Sequence, residues 1–221
     1  MGDFHPATEE YLETIFELEE AGIPPMRARL VERLGVSAPS VSETVGRLER
    51  EGYLVLGADR QMRLTPTGRA YATSMVRRHR LAERLLVDVL KVPWHQVHEE
   101  ACRLEHAISP NLEAHLVTLL GDPGSCPHGN PIPGSTNEVP MEDAVALSAA
   151  PYDVSVRVSR IDEALESNTA GLRVLEEHGF IPGARVQVVS SDPDSTWVMA
   201  AGDLKVELAT TVAAYVYVVP V

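Results

Sequence analysis

The 221-residue sequence lacks the features that mark membrane-spanning, exported and disulfide-bonded proteins. It has no apolar run of about 18 residues, the length that a helix needs to cross a bilayer. Its first residues, MGDFHPATEEY, are acidic, whereas a signal peptide begins basic and then turns hydrophobic. Its two cysteines, Cys102 and Cys126, allow at most one disulfide. We therefore expect a cytoplasmic protein with no membrane partner, in which Cys102 has a metal or thiol role.

Positive charge is scarce overall but concentrated in one region. The net charge of −13 would oppose binding to a polyanion such as DNA. Residues 1–25 hold seven acidic residues and no Lys or Arg, residues 26–91 hold 13 basic and 7 acidic residues, and residues 92–221 hold 6 basic and 18 acidic residues. A basic middle segment in an acidic chain indicates a nucleic-acid-binding region.

The first 65 or so residues have the pattern of a winged helix-turn-helix. Apolar residues at helical spacing predict a first helix over residues 7–20. PMRARLVERLG and VSAPSVSETVGRLEREG predict two short helices around a tight turn, with Ser37 as the N-cap of the second. YLVLGADRQMRLT then reads as a β-hairpin, which forms the wing.

Three more helices are predicted after the wing. The first is long, with Thr65 as its cap and Pro66 in its first turn. PWHQVHEEACRLEHAIS and PNLEAHLVTLLG give the other two. Their wide apolar stripes exceed what so thin a domain can bury, which predicts a homodimer.

The C-terminal part reads as a linker followed by a β-domain. Residues 121–151 are rich in Pro, Gly and Ser and have no sustained period. Short β-branched strands with turn signals then predict a small barrel. The fold class is α+β multidomain, with a winged helix-turn-helix at 1–72, a helical dimerisation and metal-binding domain at 73–134, a linker at 135–150 and the barrel at 151–221.

The two helices after the wing carry two groups of potential metal ligands. Cys102, Glu105 and His106 have the spacing i, i+3, i+4, so they share one helix face. His79 and Glu83 are likewise i, i+4, and His98 joins them if the helices pack antiparallel. Thiolate, carboxylate and imidazole together suit a divalent transition metal better than calcium or magnesium. The sequence therefore predicts two neighbouring metal sites.

Other interpretations of these residues remain open. A His–Glu pair at i, i+4 is usually a solvated polar edge. A structural zinc site favours Cys-rich ligands, and helical di-iron centres use Glu-x-x-His pairs, which this segment lacks. An enzyme, such as a di-metal oxidoreductase or hydrolase with a winged helix, is the alternative function, although no nucleophile–base pair or Gly-rich phosphate loop supports it. A winged helix that binds protein without metal is a third interpretation.

Several residues of the basic segment are candidates for contact with DNA. Hydroxyl side chains of the third helix can donate to DNA, and arginines can reach phosphates. The candidates are Arg27, Arg29, Ser37, Pro39, Ser40, Ser42, Arg47, Arg50 and, in the turn of the wing, Arg60.

Four stretches resemble the diphtheria-toxin-repressor family of metal-dependent transcriptional repressors: RARLVERLGVSAPSVSETVGRLEREGYL, RRHRLAERLLVDVL, VHEEACRLEHAIS and GNPIPG. The resemblance covers residues 1 to about 134 and, more loosely, the barrel. It implies a homodimer that binds palindromic operator DNA when divalent metal is loaded. It also implies a primary site with Cys102, Glu105 and His106, an ancillary site with His79, Glu83 and His98, and an SH3-like (FeoA-like) third domain that can lend ligands to the ancillary site.

Departures from the family pattern bear on the choice of metal. Glu10 stands where the iron-responsive branch has methionine, and Glu13 follows one turn later, as in the manganese branch. Cys102 instead follows the iron branch. Hard carboxylates in place of a soft thioether favour Mn(II) or Fe(II), which we expect at two sites per subunit.

Two further departures concern the barrel and the recognition helix. Asn168 and Gly171 align with the barrel positions that donate Glu and Gln in the iron branch, so the ancillary site is closed by Glu166, by water or by no further ligand. Glu43 stands where the iron branch has a base-reading Gln. A carboxylate accepts from cytosine N4 but repels phosphates, so we expect a different operator sequence.

Together these patterns predict a repressor of metal-homeostasis genes rather than an enzyme. An ion joining Glu10 of the first helix to Cys102 of the dimerisation helices would act as an allosteric ligand for DNA binding.

Overall fold

The computed structural model describes residues 6–137, 139–141, 143–200 and 204–221. The chain folds into two units, Met1–Arg78 and His79–Val221. The predicted fold class is confirmed: a winged helix-turn-helix comes first, a helical segment follows, and a small antiparallel β-domain ends the chain. None of the helices in the described ranges is long and apolar enough to cross a membrane.

Three helices open the N-terminal unit: α1 (Pro6–Glu20), α2 (Arg27–Leu34) and α3 (Ala38–Arg50). Gly35 ends α2 in the left-handed conformation, with φ of 64°, where glycine carries no Cβ penalty. Two residues later, the Ser37 hydroxyl accepts from the Ser40 amide at 3.3 Å and caps α3. These two caps produce the tight turn that the sequence predicted.

The wing follows α3 and completes the first core. Strands β1 (Leu54–Leu56) and β2 (Met62–Leu64) pair antiparallel, with Leu54 opposite Leu64. Apolar side chains from the three helices and both strands are buried together: Leu12, Ile15, Leu30, Val41, Val45, Leu48, Leu54 and Met62. Burial of this cluster is what makes the unit compact, because each such side chain contributes about 1.5–3 kcal/mol.

Helix α4 (Pro66–Arg84) begins as predicted, since Thr65 Oγ1 accepts from the Gly68 amide at 3.1 Å. It does not continue as a regular α-helix to Lys91, because Leu85–Val89 form a wider π-helical turn. The next predicted helix is also divided, into a 3₁₀ turn at Trp94–Gln96, α5 (Val97–Leu104) and a 3₁₀ turn at Glu105–Ala107. Helix α6 (Pro110–Leu120) then starts at Ser109, whose hydroxyl accepts from the Leu112 amide.

The segment after α6 is packed and does not behave as a flexible linker along its first half. Cys126, His128, Asn130 and Ile132 are all buried. The Cys126 amide donates to the Asn130 carbonyl at 2.8 Å, so the loop closes on itself. Its composition resembled a linker because turns also need Pro, Gly and Asn.

The β-domain is a six-stranded antiparallel sheet in the order β3-β8-β4-β5-β6-β7, with three short helices. The strands are β3 (Val145–Ala146), β4 (Ser155–Ile161), β5 (Arg185–Ser191), β6 (Ser195–Met199), β7 (Lys205–Ala209) and β8 (Val216–Pro220). The helices are α7 (Glu163–Glu166), α8 (Thr169–Glu177) and α9 (Thr210–Ala213). Alternating strand residues and α8 supply the core, which includes Val158, Leu172, Phe180, Val198 and Val218.

Candidate metal centre

Four separate stretches of the C-terminal unit bring potential metal ligands to one place. They are α4, α5, the loop after α6 and the four-residue helix α7. The ligands that they supply are His79, Glu83, His98, Cys102, Cys126, His128 and Glu166. Three overlapping groups of these residues have ligand atoms within 4.8 Å of one another.

The α4 and α5 ligands meet around Glu83, which is fully buried. Its Oε1 lies 3.5 Å from His79 Nε2 on the same helix and 3.9 Å from His98 Nδ1 on α5. The rings of His79 and His98 are 4.9 Å apart. The predicted juxtaposition of His79, Glu83 and His98 is therefore present in the structure.

Glu166 closes this group from the β-domain. Its Oε2 lies 3.2 Å from His98 Nδ1 and 3.1 Å from His128 Nδ1. His128 Nδ1 also hydrogen-bonds to Glu83 Oε1 at 3.0 Å. The Glu166 carboxylate, one of the three closures left open by the sequence, thus lies beside His98 and His128. Asn168 instead caps α8, where its Oδ1 accepts from the Gly171 amide.

Helix α7 is held in place at both ends. Asp162 Oδ1 caps it by accepting from the Ala164 amide at 2.9 Å. Glu163 accepts from the buried Arg80 guanidinium at 2.9 Å. Asn130 Nδ2 donates to Glu166 Oε1 at 2.9 Å. These contacts fix Glu166 even though the helix has only four residues.

Hydrogen bonds join the loop after α6 to Ile161, the last residue of β4. The Ile161 amide donates to the His128 carbonyl at 2.8 Å, and Asn130 Nδ2 donates to the Ile161 carbonyl at 2.9 Å. Arg84 Nε donates to the Ser125 carbonyl at 2.7 Å. Cys126 and His128 are therefore held rigidly beside Glu83.

The donor atoms fit a cation. Within the described part of the chain, five buried side-chain atoms of this group form no hydrogen bond of good geometry, although two of them, His98 Nδ1 and Glu166 Oε2, are within ion-pair distance of each other: His79 Nε2, Glu83 Oε2, His98 Nδ1, His128 Nε2 and Glu166 Oε2. Leaving a buried polar atom unsatisfied costs about 1–3 kcal/mol, and more when it is charged. Imidazole, carboxylate and thiol donors are the set that a borderline divalent metal accepts.

The ionisation of the group follows from its charges. Burial acts to lower the pKa of His128, but the charges of Glu166 and Glu83 outweigh it and hold that pKa well above its usual value. Burial acts to raise the pKa of Glu83, yet His128 and His79 hold it well below its usual value. Without metal, the cluster is a buried network of imidazolium and carboxylate groups.

The second predicted group is contiguous with the first. Cys102 Sγ lies 3.6 Å from His98 Nε2, and Glu105 Oε2 lies 2.6 Å from His79 Nδ1. His106 Nε2 lies 3.4 Å from Glu105 Oε1. His79, predicted for the ancillary site only, thus contacts residues of both groups.

The thiol of Cys102 is unusually acidic. Its burial acts to raise the pKa, but hydrogen bonds with His79 and His98 lower it to about 7. In contrast, burial raises the pKa of the Cys126 thiol to about 12, and the charge of Glu83 adds to this effect. Neither cysteine is in a disulfide.

Glu10 and Glu13, the carboxylates expected to complete the primary site, lie on α1 in the N-terminal unit. Glu10 is exposed, and its carbonyl accepts from Thr14 Oγ1 at 2.8 Å. Glu13 is only 9% exposed. Their part in metal binding stays a prediction.

Cys126 and His128 were missed at the level of sequence because their segment resembled a linker. The sequence CPH does place a thiol and an imidazole two residues apart, and a turn in which the Gly129 amide donates to the Cys126 carbonyl at 3.0 Å brings them together. Their separation from the other ligands by α6 hid the connection.

The candidate DNA-contacting residues lie mostly on the surface of the N-terminal unit. Buried Val41, Val45 and Leu48 define the inner face of α3. The exposed set includes Ser37, Pro39, Ser40, Ser42, Glu43, Arg50 and, in the wing, Arg60.

Two of the other three candidate arginines, Arg29 and Arg47, have partners within the protein. Arg29 forms an exposed ion pair with Glu32 at 2.8 Å. Arg47 is only half exposed, and its Nη2 donates to Thr8 Oγ1 of α1 at 2.9 Å. Arg27 is also half buried. Arg47 therefore helps to hold α1 against α3, which a role in phosphate contact alone does not explain.

Three family models match successive parts of the chain. Residues 3–61 match the N-terminal DNA binding domain of iron dependent repressors. Residues 65–134 match the metal binding and dimerisation domain of the same repressors. Residues 145–220 match the FeoA domain.

Known proteins are similar over nearly the whole chain. The iron-dependent repressor IdeR of Mycobacterium leprae (strain TN) is 42% identical over 217 residues, which is 94% of each chain. The diphtheria toxin repressor of Corynebacterium diphtheriae is 43% identical over 199 residues, 87% of this chain and 88% of that one. The solved structure of a manganese-dependent transcriptional repressor in complex with manganese superposes with a TM-score of 0.84 at 34% identity, covering 97% of this chain and 100% of the other.

Proposed function

Because the chain belongs to the iron-dependent repressor family and is a metal-dependent transcriptional repressor, we propose that a divalent metal activates its binding to operator DNA. The metal would be held by the Glu83 cluster, by which we mean His79, Glu83, His98, Cys126, His128 and Glu166. The observation that carries this proposal is the set of buried donor atoms around Glu83 that lack hydrogen-bond partners. When bound, the metal would replace the histidine protons as the positive charge that faces these carboxylates.

We assign two metal sites to each subunit. The ancillary site comprises His79, Glu83, His98 and Glu166, with Cys126 and His128 as additional donors. The primary site comprises Cys102, Glu105 and His106, with Glu10 and Glu13 as the proposed carboxylates from α1. The contact between His79 and Glu105 supports coupling between the two sites, because changing the partners of one residue affects both groups.

Mn(II) or Fe(II) is the proposed metal. Carboxylates are hard ligands that suit Mn(II), whereas the two thiols favour softer ions. Imidazole accepts either class. The Mycobacterium leprae relative is named an iron-dependent repressor, and the solved structure at a TM-score of 0.84 is a manganese-dependent repressor, which is consistent with a mixed donor set.

We further propose that a homodimer binds a palindromic operator, because a two-fold protein presents its two recognition helices to two equal half-sites. The exposed face of α3 supports this use. Exposed leucines and valines on the helical segment support a dimer surface, which would otherwise remain in water. A repressor acts where the chromosome lies, so the proposed compartment is the cytoplasm.

The enzyme alternative is not favoured. All the named relatives are repressors, and the ligands of the Glu83 cluster are buried, whereas a hydrolase or oxidase needs an open metal position that substrate can reach. A metal-independent protein-binding module would not explain the buried histidine and glutamate atoms around Glu83 that form no hydrogen bond.

The test compares two matched Glu→Gln variants. Duplexes are first selected from a random-sequence library by Mn(II)-loaded protein, and their affinity is then measured by fluorescence anisotropy with metal and with chelator. Glu83→Gln keeps the shape of a central donor but removes its charge, and we expect it to lower the metal-activated affinity at least about tenfold. Glu99→Gln, which only loses an exposed ion pair with Arg103, should behave as wild type. Equal DNA affinity in metal and chelator for the wild-type protein would refute the proposal.

A further inference from the structure

Trp94 connects the β-domain to the loop that carries Cys126 and His128. It lies in the 3₁₀ turn before α5 and is only 8% exposed. Although it comes from the helical segment, its side chain is part of the apolar core of the β-domain, together with Leu172 and Leu175. Trp94 therefore links the core of the β-domain to the loop residues that its side chain contacts.

Two contacts of Trp94 act directly on the loop. The indole Nε1 donates to the Pro127 carbonyl at 3.0 Å. The indole ring also packs on the His128 ring, with centroids 4.5 Å apart and planes inclined by 59°. One side chain therefore holds both the main chain before His128 and the imidazole itself.

The main chain of Trp94 is held in turn by Glu176 of α8. Glu176 Oε1 accepts from the Trp94 amide at 3.2 Å, and its Oε2 accepts from the His95 amide at 3.4 Å. The His95 ring pairs with the same carboxylate. These contacts hold the main chain at Trp94 independently of its contact with His128.

We propose that Trp94 is a positioning residue that sets the orientation of His128 for metal binding. The proposal rests on the proposed function, in which His128 is a metal donor. The indole fixes the plane of the imidazole ring, and within that plane Nδ1 points to the Glu83 and Glu166 carboxylates. Groups that orient a metal ligand from outside the coordination sphere typically contribute 10- to 100-fold in affinity.

The first test measures metal affinity in matched tryptophan variants by competition with a chelating indicator. Trp94→Phe retains an apolar ring but has no N–H donor for the Pro127 carbonyl. Trp197→Phe is the control, because Trp197 lies on β6 with its ring against Lys205. We expect Mn(II) affinity at the ancillary site to fall about 10- to 100-fold in Trp94→Phe and to be unchanged in Trp197→Phe.

A double-mutant cycle separates positioning from a loss of packing. If Trp94 acts through His128, Trp94→Phe should cause no further loss of affinity in a His128→Ala background. Full additivity of the two losses would overturn the proposal, as would wild-type affinity in Trp94→Phe. If His128→Ala alone binds metal like wild type, His128 is not a metal donor, and the positioning role of Trp94 is overturned while the Glu83 site stands or falls with Glu83→Gln.

A second measurement leaves Trp94 intact. In Trp197→Phe, the sole remaining tryptophan is Trp94, so its fluorescence reports on the surroundings of His128. Paramagnetic Mn(II) should quench this emission saturably, and His128→Ala should abolish the quenching. Emission that stays constant while the protein binds metal would overturn the assignment.

Discussion

At the scale of single residues, the Glu83 cluster is a case of buried charge that is only partly compensated. Histidine and glutamate side chains face one another, and several of their atoms still lack hydrogen bonds. Removing one partner of a buried ion pair costs about 3–5 kcal/mol, because the other charge stays in a medium that solvates it poorly. The neighbouring contacts hold these charges in place, namely the Arg80–Glu163 ion pair and the Asn130 hydrogen bonds.

The two cysteines should differ in reactivity toward iodoacetamide in protein treated with chelator. The thiolate is the reactive form, the pKa of Cys102 is lowered to about 7, and that of Cys126 is raised to about 12. The alkylation rate of Cys102 should therefore rise with pH and reach half its maximum near pH 7. Peptide mass spectrometry across a pH series measures both rates.

The control for this experiment is Cys102→Ser, which should take up no label while folded. Bound metal should protect Cys102 if it is a ligand. Equal labelling of both cysteines in the folded protein would contradict the difference in burial and in pKa that separates them.

At the scale of secondary-structure elements, the sequence predicted the helices and strands well where periodicity and caps agreed. Ser37 and Thr65 cap α3 and α4 as the sequence predicted. The π-helical and 3₁₀ turns that interrupt the predicted helices were not predictable from periodicity and caps. The π-helical turn after Arg84 lies inside a good helical pattern, because tertiary packing decides whether a helix widens.

The candidate site was predictable only where its ligands share a helix. The i, i+4 spacing of His79 and Glu83 brings them together by local geometry alone. Cys126, His128 and Glu166 join them through long-range packing, which a one-dimensional pattern does not contain. Glu166 was considered only through resemblance, and the loop ligands were not considered at all.

Two glycines in the N-terminal unit should respond in opposite ways to substitution by alanine. A Cβ at Gly68 would lie 1.9 Å from the Tyr53 carbonyl oxygen, a backbone atom, so Gly68→Ala forces α4 away from the wing. A Cβ at Gly46 in α3 would meet nothing within 4 Å. We expect Gly68→Ala to destabilise the protein by roughly 1–3 kcal/mol and Gly46→Ala to stabilise it by up to about 1 kcal/mol. Chemical denaturation followed by circular dichroism measures the stability of both variants and of the wild type. A stabilising Gly68→Ala would contradict the close approach of Gly68 to the Tyr53 carbonyl oxygen.

At the scale of the whole molecule, the exposed apolar side chains of the helical segment predict how copies assemble. Val89, Leu90, Leu112 and Leu119 are between 43% and 62% exposed, and we refer to these four side chains as the apolar face of that segment. If this face is the dimer surface, Leu119→Lys places a charge in it and should weaken dimerisation by about 3 kcal/mol, or roughly a hundredfold. Sedimentation equilibrium measures the change.

The matched control for dimerisation is Ile181→Lys, which adds the same charge at an exposed position of the β-domain. It should leave the dimer and operator binding intact. A dimer of normal affinity in Leu119→Lys would exclude the apolar face as the interface.

Basic and acidic residues lie in different parts of the chain. The basic residues cluster in the segment that contains α3 and the wing, whereas the β-domain and its flanking segments are acidic. DNA is therefore attracted to one part of the chain and repelled by the rest, which favours a single orientation on the duplex.

The position of Glu166 in α7 has a consequence for biosynthesis. The residues of the cluster appear from the ribosome in the order α4, α5, loop and α7, and α7 follows the first full strand of the β-domain. A nascent or prematurely terminated chain can fold its winged helix early but has no complete set of ligands until that carboxylate has been translated. On the proposed site assignment, a product that ends before α7 lacks this carboxylate and is expected to bind metal less tightly than the finished protein.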